Sequence, residues 1–183
     1  MELFKGIRLF TGTKILASRA GRLKRKKRFN SLQNAHKIAI VWSADSEGDL
    51  KIINTFYHEM QKRGIHTDIL CYYPGPVLPD NLTALRHINC FRKSDLNYIY
   101  IPVSSEIIEF INTPYEILID INFGNHFPLQ WISALSMAEL KIGTDDGGTS
   151  HLMDITINLN GKKEIGYFLD QVKYYLEMIN TTD

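Results

Sequence analysis

The sequence predicts a three-layer α/β sandwich of Rossmann-like build, with a mainly parallel sheet and a basic helical N-terminal arm. Three observations carry this expectation. Short, nearly continuous apolar runs such as Ile38-Ala39-Ile40-Val41-Trp42 and Ile117-Leu118-Ile119-Asp120-Ile121 read as strands buried on both faces. Those runs alternate with segments whose apolar residues recur at helical spacing. Finally, charge is split along the chain. Residues 1–37 hold 11 of the 21 Lys/Arg against one acid, a balance of +10, and residues 38–183 hold 10 Lys/Arg against 19 acids, a balance of −9.

From the N-terminus, Leu3, Phe4, Ile7 and Phe10 keep helical spacing, Thr11-Gly12-Thr13 interrupts, and Leu16, Ala20 and Leu23 define a second helical pattern. The basic block Lys24 to Arg28 and the polar stretch Asn30 to Asn34 follow. The polar stretch marks the predicted boundary: an arm over 1–34 and a single domain over 35–183. In the body, Lys37–Trp42 is the first strand. Leu50, Ile53, Tyr57 and Met60 form a helix that stops at Gly64. Ile65–Tyr73 is a second strand closed by Pro74, Pro76 and Pro79. Ile88–Phe91 is a third, Asn97–Val103 adds a short one, and Ser104–Asn112 is a short helix. After the strand at Glu116–Ile121, Pro128 suits the first turn of a helix carrying Leu129, Ile132 and Leu135. Leu140–Gly143 and Met153–Leu159 are the last strands. Ile165, Phe168, Leu169, Val172, Leu176 and Ile179 form the stripe of a closing helix.

Composition excludes several classes. With 183 residues and 44% hydrophobic content the chain can bury its own core without disulfides or metals. Cys71 and Cys90 lie in apolar, strand-like surroundings and read as reduced thiols, and no Cys/His spacing suggests zinc. No apolar stretch approaches the roughly 20 residues of a transmembrane helix, and no secretory signal precedes the body, so a cytoplasmic protein, free or peripheral to a membrane, is expected. The dinucleotide fingerprint, the P-loop and the hydrolase nucleophile elbow are all missing. No metal and no cofactor is expected.

In open parallel sheets, ligands bind beyond the carboxyl ends of the strands. Three polar loops fall there: Ser43 to Asp49, Asn122 to His126, and Thr144 to His151. Their candidate ligand-binding residues are Ser43, Asp45, Asp49, Asn122, Asn125, His126, Asp145, Asp146 and His151. Asp49 and His126 are the pair to carry acid/base work if the chain is an enzyme. The competing reading is that Asp, Ser, Asn and Gly serve turns and helix caps.

The segment KIAIVWSADSEGD (residues 37–49), followed by a helix and the strand IHTDILCYY, resembles the opening of the heptosyltransferase-type glycosyltransferases. Residues 115–143, YEILIDINFGNHFPLQWISALSMAELKIG, resemble their later strand–helix–strand. The match spans about half of the body. It implies a Rossmann-like fold and gives Asp49 the place of the catalytic base. It also implies that a second, donor-binding domain is needed, and this sequence has none. The order of segments is similar, too, to an uncharacterised family of small bacterial proteins, which implies no activity.

The basic arm offers Arg19, Arg22, Lys24, Arg25, Lys26, Lys27 and Arg28 to an anionic surface, either nucleic acid or membrane. The expected function is therefore a non-catalytic module docking through its arm. On nucleic acid, Leu3, Phe4, Ile7 and Phe10 would pack on the body, whereas on lipid they would insert. A protein partner or a second copy could instead receive the arm, and the arm could simply pack on its own acidic body. The alternative function is a small sugar- or nucleotide-binding domain acting with a partner.

Overall fold

The computed structural model describes residues 4–46, 48–145 and 150–179. Its elements in chain order are α1 (Lys5–Ala20), β1 (Lys37–Ser43), α2 (Asp49–Lys62), β2 (His66–Tyr73), α3 (Asp80–Thr83), β3 (Ile88–Arg92), α4 (Ser105–Asn112), β4 (Ile117–Ile121), α5 (Phe127–Leu135), β5 (Leu140–Thr144), β6 (Ile155–Ile157) and α6 (Ile165–Met178). The six strands form one sheet in the order β3-β2-β1-β4-β5-β6. Every pairing in it is parallel. The sheet is flanked by helices on both faces, as the alternating pattern predicts.

Strand alternation divides the core in two. Ile38, Ile40 and Trp42 of β1 face α2 and α6, where Ile53, Phe56, Met60, Phe168, Leu169 and Val172 meet them. Ala39 and Val41 face the other way, onto Ile107 and Phe110 of α4 and Leu129 and Ile132 of α5. Both faces of β1 and β4 are covered, which is why those strands read as unbroken apolar runs.

α5 is apolar on two opposite sides because both are covered. Its Leu129 and Ile132 face the sheet, while Phe127, Trp131, Ala134 and Leu135 face outward onto Leu16 of α1 and Ile101. α1 thus lies outside α5, one layer further from the sheet. The Thr11-Gly12-Thr13 interruption expected from sequence does not occur. α1 runs unbroken from Lys5 to Ala20. Gly12 sits at the crossing, where a Cβ would come 2.8 Å from the Ile99 carbonyl and 2.9 Å from the Phe127 ring. The glycine is there for close approach, not for a turn.

Other boundaries also move. Residues 97–103 form a hydrogen-bonded loop instead of a strand, carrying only an isolated antiparallel bridge between Leu96 and Pro102. Asn97 closes that loop: its Oδ1 accepts from the backbone N–H of Ile99 and of Ile101, each at 3.0 Å. The last strand is confined to Ile155–Ile157, shorter than the apolar run suggests. α3 was not visible as a periodic pattern, since four residues hold too little of one. Leu23 lies beyond the end of α1.

The polar stretch after the basic block is packed into the body. Asn30, Ser31 and Leu32 are 6%, 3% and 3% exposed. Asn30 Nδ2 donates to the Glu116 carbonyl at 3.0 Å and to Glu139 Oε2 at 2.9 Å.

Candidate functional site

In a 3-2-1-4-5-6 sheet the strand order reverses between β1 and β4, and the loops leaving those strands part to opposite sides. The first and second sequence-predicted loops meet at this switch point. His126 Nε2 lies 3.0 Å from Asp45 Oδ1, joining the loop after β1 to the loop after β4. Asn122 shapes the second loop. Its Oδ1 accepts from the His126 N–H at 2.8 Å, its Nδ2 donates to the His126 carbonyl at 3.0 Å, and its own N–H donates to Asp120. Asn125 takes a left-handed conformation (φ +54°), which Asn tolerates better than most residues. Gly124 leaves room for the pair: a Cβ there would come 2.5 Å from His126 and 2.7 Å from Asp45.

Asp45 also acts on its neighbours electrostatically. Partial burial first, and the Asp45 charge second, raise the Asp49 carboxyl above the ordinary range. The same two causes raise the Tyr72 hydroxyl. Tyr72 packs beside His126, with ring centroids 5.2 Å apart. Asp49 stands at the first turn of α2 and Ser43 ends β1, buried, its Oγ without a hydrogen-bond partner among the described residues. A cavity of about 140 Å³ lies beside Asp45 and Ser46, walled by Trp42, Tyr73 and Leu82.

The structure brings the first two loops together through Asp45 and His126, and the backbone N–H of Asp145 in the third donates instead to the Ile157 carbonyl of β6 at 3.4 Å. Asp145 follows β5, His151 is exposed on a short turn, and Asp146 lies outside the described residues. No group of three or more potential metal-ligating side chains occurs among the described residues.

Beneath the switch point the structure contains charges that the sequence reading did not single out. Asp120 of β4 is 3% exposed, and burial pushes its carboxyl up to about 7. Ser133 alongside pulls the other way without closing a well-formed hydrogen bond. Lys141 of β5 is 1% exposed and its ammonium donates to the Ala134 carbonyl at 2.8 Å. Burial, and the nearby Arg25 and Lys27 charges, push Lys141 down to about 7. A lone Asp or Lys within a strand pattern is the only signal such residues leave in a sequence.

The basic block divides by role. Arg25 is turned inward: its guanidinium grips Asp154, both side chains under 10% exposed, and also donates to the Ala138 and Glu139 carbonyls at 3.0 and 2.8 Å. That grip holds the Asp154 carboxyl below its usual range against the opposing effect of burial. Lys27 reaches the same Asp154 at 3.1 Å yet stays 70% exposed, and Lys26, 4.0 Å from Glu139, stays 78% exposed. Arg22, Lys24 and Arg28 are exposed. Arg19 lies over the Trp131 ring, 5.2 Å from its centroid.

On α1, Phe4, Ile7 and Phe10 are 62%, 63% and 63% exposed. Spaced three apart, they form a stripe on the side of the helix away from Gly12 and Leu16, which are buried against the body. No helix among the described residues is long and apolar enough to cross a membrane.

Fold and site together define a Rossmann-like α/β domain with a polar switch point, a helix (α1) laid over its outer face and a non-helical basic segment after that helix. The chain belongs to a family of unknown function, DUF6913, whose model matches residues 8–179. It matches no curated protein and no solved structure, so neither comparison supports the glycosyltransferase likeness.

Proposed function

We propose that the chain is a non-catalytic module, working at the cytoplasmic face of a membrane, that docks on anionic lipid through α1 and the basic segment after it. One observation carries this reading: Phe4, Ile7 and Phe10 point away from the body. Nucleic acid would give an outward apolar stripe nothing to do, because its backbone is met by cations. A lipid interface takes up the stripe and the cations together. Burying each side chain fully contributes about 1.5–3 kcal/mol, and each cation near an anionic surface about 1 kcal/mol. The acidic body is repelled by the same surface, so contact is left to the arm. Of the expected docking residues, Arg22, Lys24, Lys26, Lys27 and Arg28 are exposed, which supports this reading, and the Lys14 ammonium of α1 lies beside the stripe, 5.4 Å from the Phe10 ring centroid. Arg25 is taken up by Asp154, and Arg19 by Trp131.

Deleting the arm is a poor test, since it would strip Arg25 and Leu32 from the interior. Point variants of the full chain avoid that. The wild type should sediment with phosphatidylglycerol vesicles but not with phosphatidylcholine vesicles, and part of the binding should survive high salt. Phe4→Ser/Ile7→Ser/Phe10→Ser should remove the salt-resistant part, and Lys24→Glu/Lys26→Glu/Arg28→Glu the salt-sensitive part. Absence of vesicle binding at low salt defeats the proposal. So does RNA or DNA binding that the serine variant leaves intact while vesicles are ignored, or a stable dimer that the serine variant dissociates.

The contact between Asp45 and His126 at the switch point favours a second reading, a small sugar- or nucleotide-binding domain related to the glycosyltransferases and acting with a partner. It would use Asp45, Asp49, Asn122 and His126. A ligand that binds only the folded state raises the melting temperature. A rise with a nucleotide or sugar that Asp45→Asn abolishes would favour it over the docking module.

A further inference from the structure

An open groove of about 690 Å³ runs between the C-terminal part of α1 with residues 22–24, the 97–103 loop, and helices α4 and α5. Its floor is apolar: Ile101, Ile111, Trp131 and Leu135 line it, with the half-exposed Ile108 and Val103 at one edge. The opposite rim is Arg19, Arg22 and Lys24, and among the described residues no acidic side chain lines the groove. The walls are fixed. The 97–103 loop is held by the Asn97 side chain, with Tyr100 in a left-handed conformation (φ +63°) unusual for a bulky residue. Arg8 of α1 ties that loop to the helix. Its guanidinium lies 4.1 and 4.5 Å from the Tyr98 and Tyr100 ring centroids and donates to the Tyr98 carbonyl.

We infer that this groove binds a single-chain anionic amphiphile, its acyl chain along the Trp131 and Ile101 floor and its charged head at Arg22 and Lys24. The volume falls within the range of small-molecule sites, roughly 300–1,000 Å³. The long apolar floor excludes a free phosphate or a nucleic-acid strand as the matching ligand, since neither gains from it. The cationic rim favours an anionic amphiphile over a neutral or cationic one, since neither of those would offset its charge. The inference rests on the membrane-docking reading only for where such a ligand comes from: a docked chain has one to extract or sense.

The test titrates the full chain below micelle-forming concentrations with laurate, with glycerol monolaurate (the same chain without charge), and with inorganic phosphate (charge without a chain). Trp131 fluorescence follows binding, since Trp42 lies in the opposite core. Laurate should saturate at one molecule per chain, roughly tenfold tighter than the monoglyceride, a difference of about 1.4 kcal/mol. Phosphate should leave the signal unchanged. Arg22→Glu/Lys24→Glu should remove the preference for laurate. Ile108→Trp, an exposed position that tolerates bulk, should narrow the groove and weaken laurate at least tenfold while vesicle sedimentation persists. Phe4→Ser/Ile7→Ser/Phe10→Ser should do the reverse, losing vesicles and keeping laurate. Laurate held no tighter than the monoglyceride, or unaffected by both groove variants, overturns the inference. Vesicle binding alongside that result would leave the docking reading standing.

Discussion

Replacing Asp120 by Asn should stabilise the protein at neutral pH and leave it unchanged in acid. Asp120 is buried at the end of β4 and its carboxyl is pushed up to about 7, from 3.8, chiefly by lost hydration. Well below pH 3.8 the group is protonated in both states and contributes no difference. As pH rises from 4 to 7 the unfolded chain releases this proton and the folded chain does not. The folded state then binds more protons, and stability falls by up to 1.36 kcal/mol per pH unit. Above pH 7 the loss levels off, and a rise from 3.8 to about 7 sets it at about 4 kcal/mol. Asn keeps the Oδ1 that accepts from the Asn122 N–H, and turns an amide toward the unpartnered Ser133 Oγ. Urea unfolding of both proteins from pH 4 to 8 reads the difference directly, and carboxylates elsewhere cancel in it. The expected result is a difference under about 1 kcal/mol at pH 4, growing to about 2–4 kcal/mol in favour of the variant at pH 7.5. A difference that does not change with pH, or a variant less stable at pH 7.5, would refute the argument. Lys141, with its folded value lowered to about 7, adds its own pH dependence only from pH 7 upward, so the slope between pH 4 and 7 is the part that reads Asp120.

Arg25→Ala should destabilise the fold by about 3–5 kcal/mol, because it removes the buried partner of Asp154 and leaves it only the exposed Lys27. Arg28→Ala, an exposed neighbour, should change stability by less than about 0.5 kcal/mol, and chemical denaturation at pH 7 compares the two. The Arg25 effect should shrink as pH falls through the depressed Asp154 value, since a protonated Asp154 no longer needs the pair. Gly12→Ala should cost about 1–3 kcal/mol through its clash with the Ile99 carbonyl and Phe127. It should also raise amide exchange along α1, whereas Gly6→Ala, with open space around it, should stabilise slightly.

The sequence by itself determined the layers and most of the elements. Ile38–Trp42 and Ile117–Ile121 are apolar at every or nearly every position because both faces of those strands are covered, and a composition effect of that kind needs no tertiary knowledge to read. It also determined which loops leave the carboxyl ends of the strands, since that follows from alternation alone. Only tertiary structure decided what met there. Asp45 and His126 lie 81 residues apart and touch because β1 and β4 are neighbours in the sheet, an order that local patterning does not encode. The same holds for α1. Gly12 reads as a break within a helix until Phe127 and Ile99 are seen to occupy the space of its missing side chain. Arg25 reads as one more cation in a basic run until Asp154, 129 residues on, is seen to bury it. Spacing records which residues share a face of their own helix or strand. It does not record which distant segment covers that face, and long-range packing therefore decided which parts of the arm are structural and which face solvent.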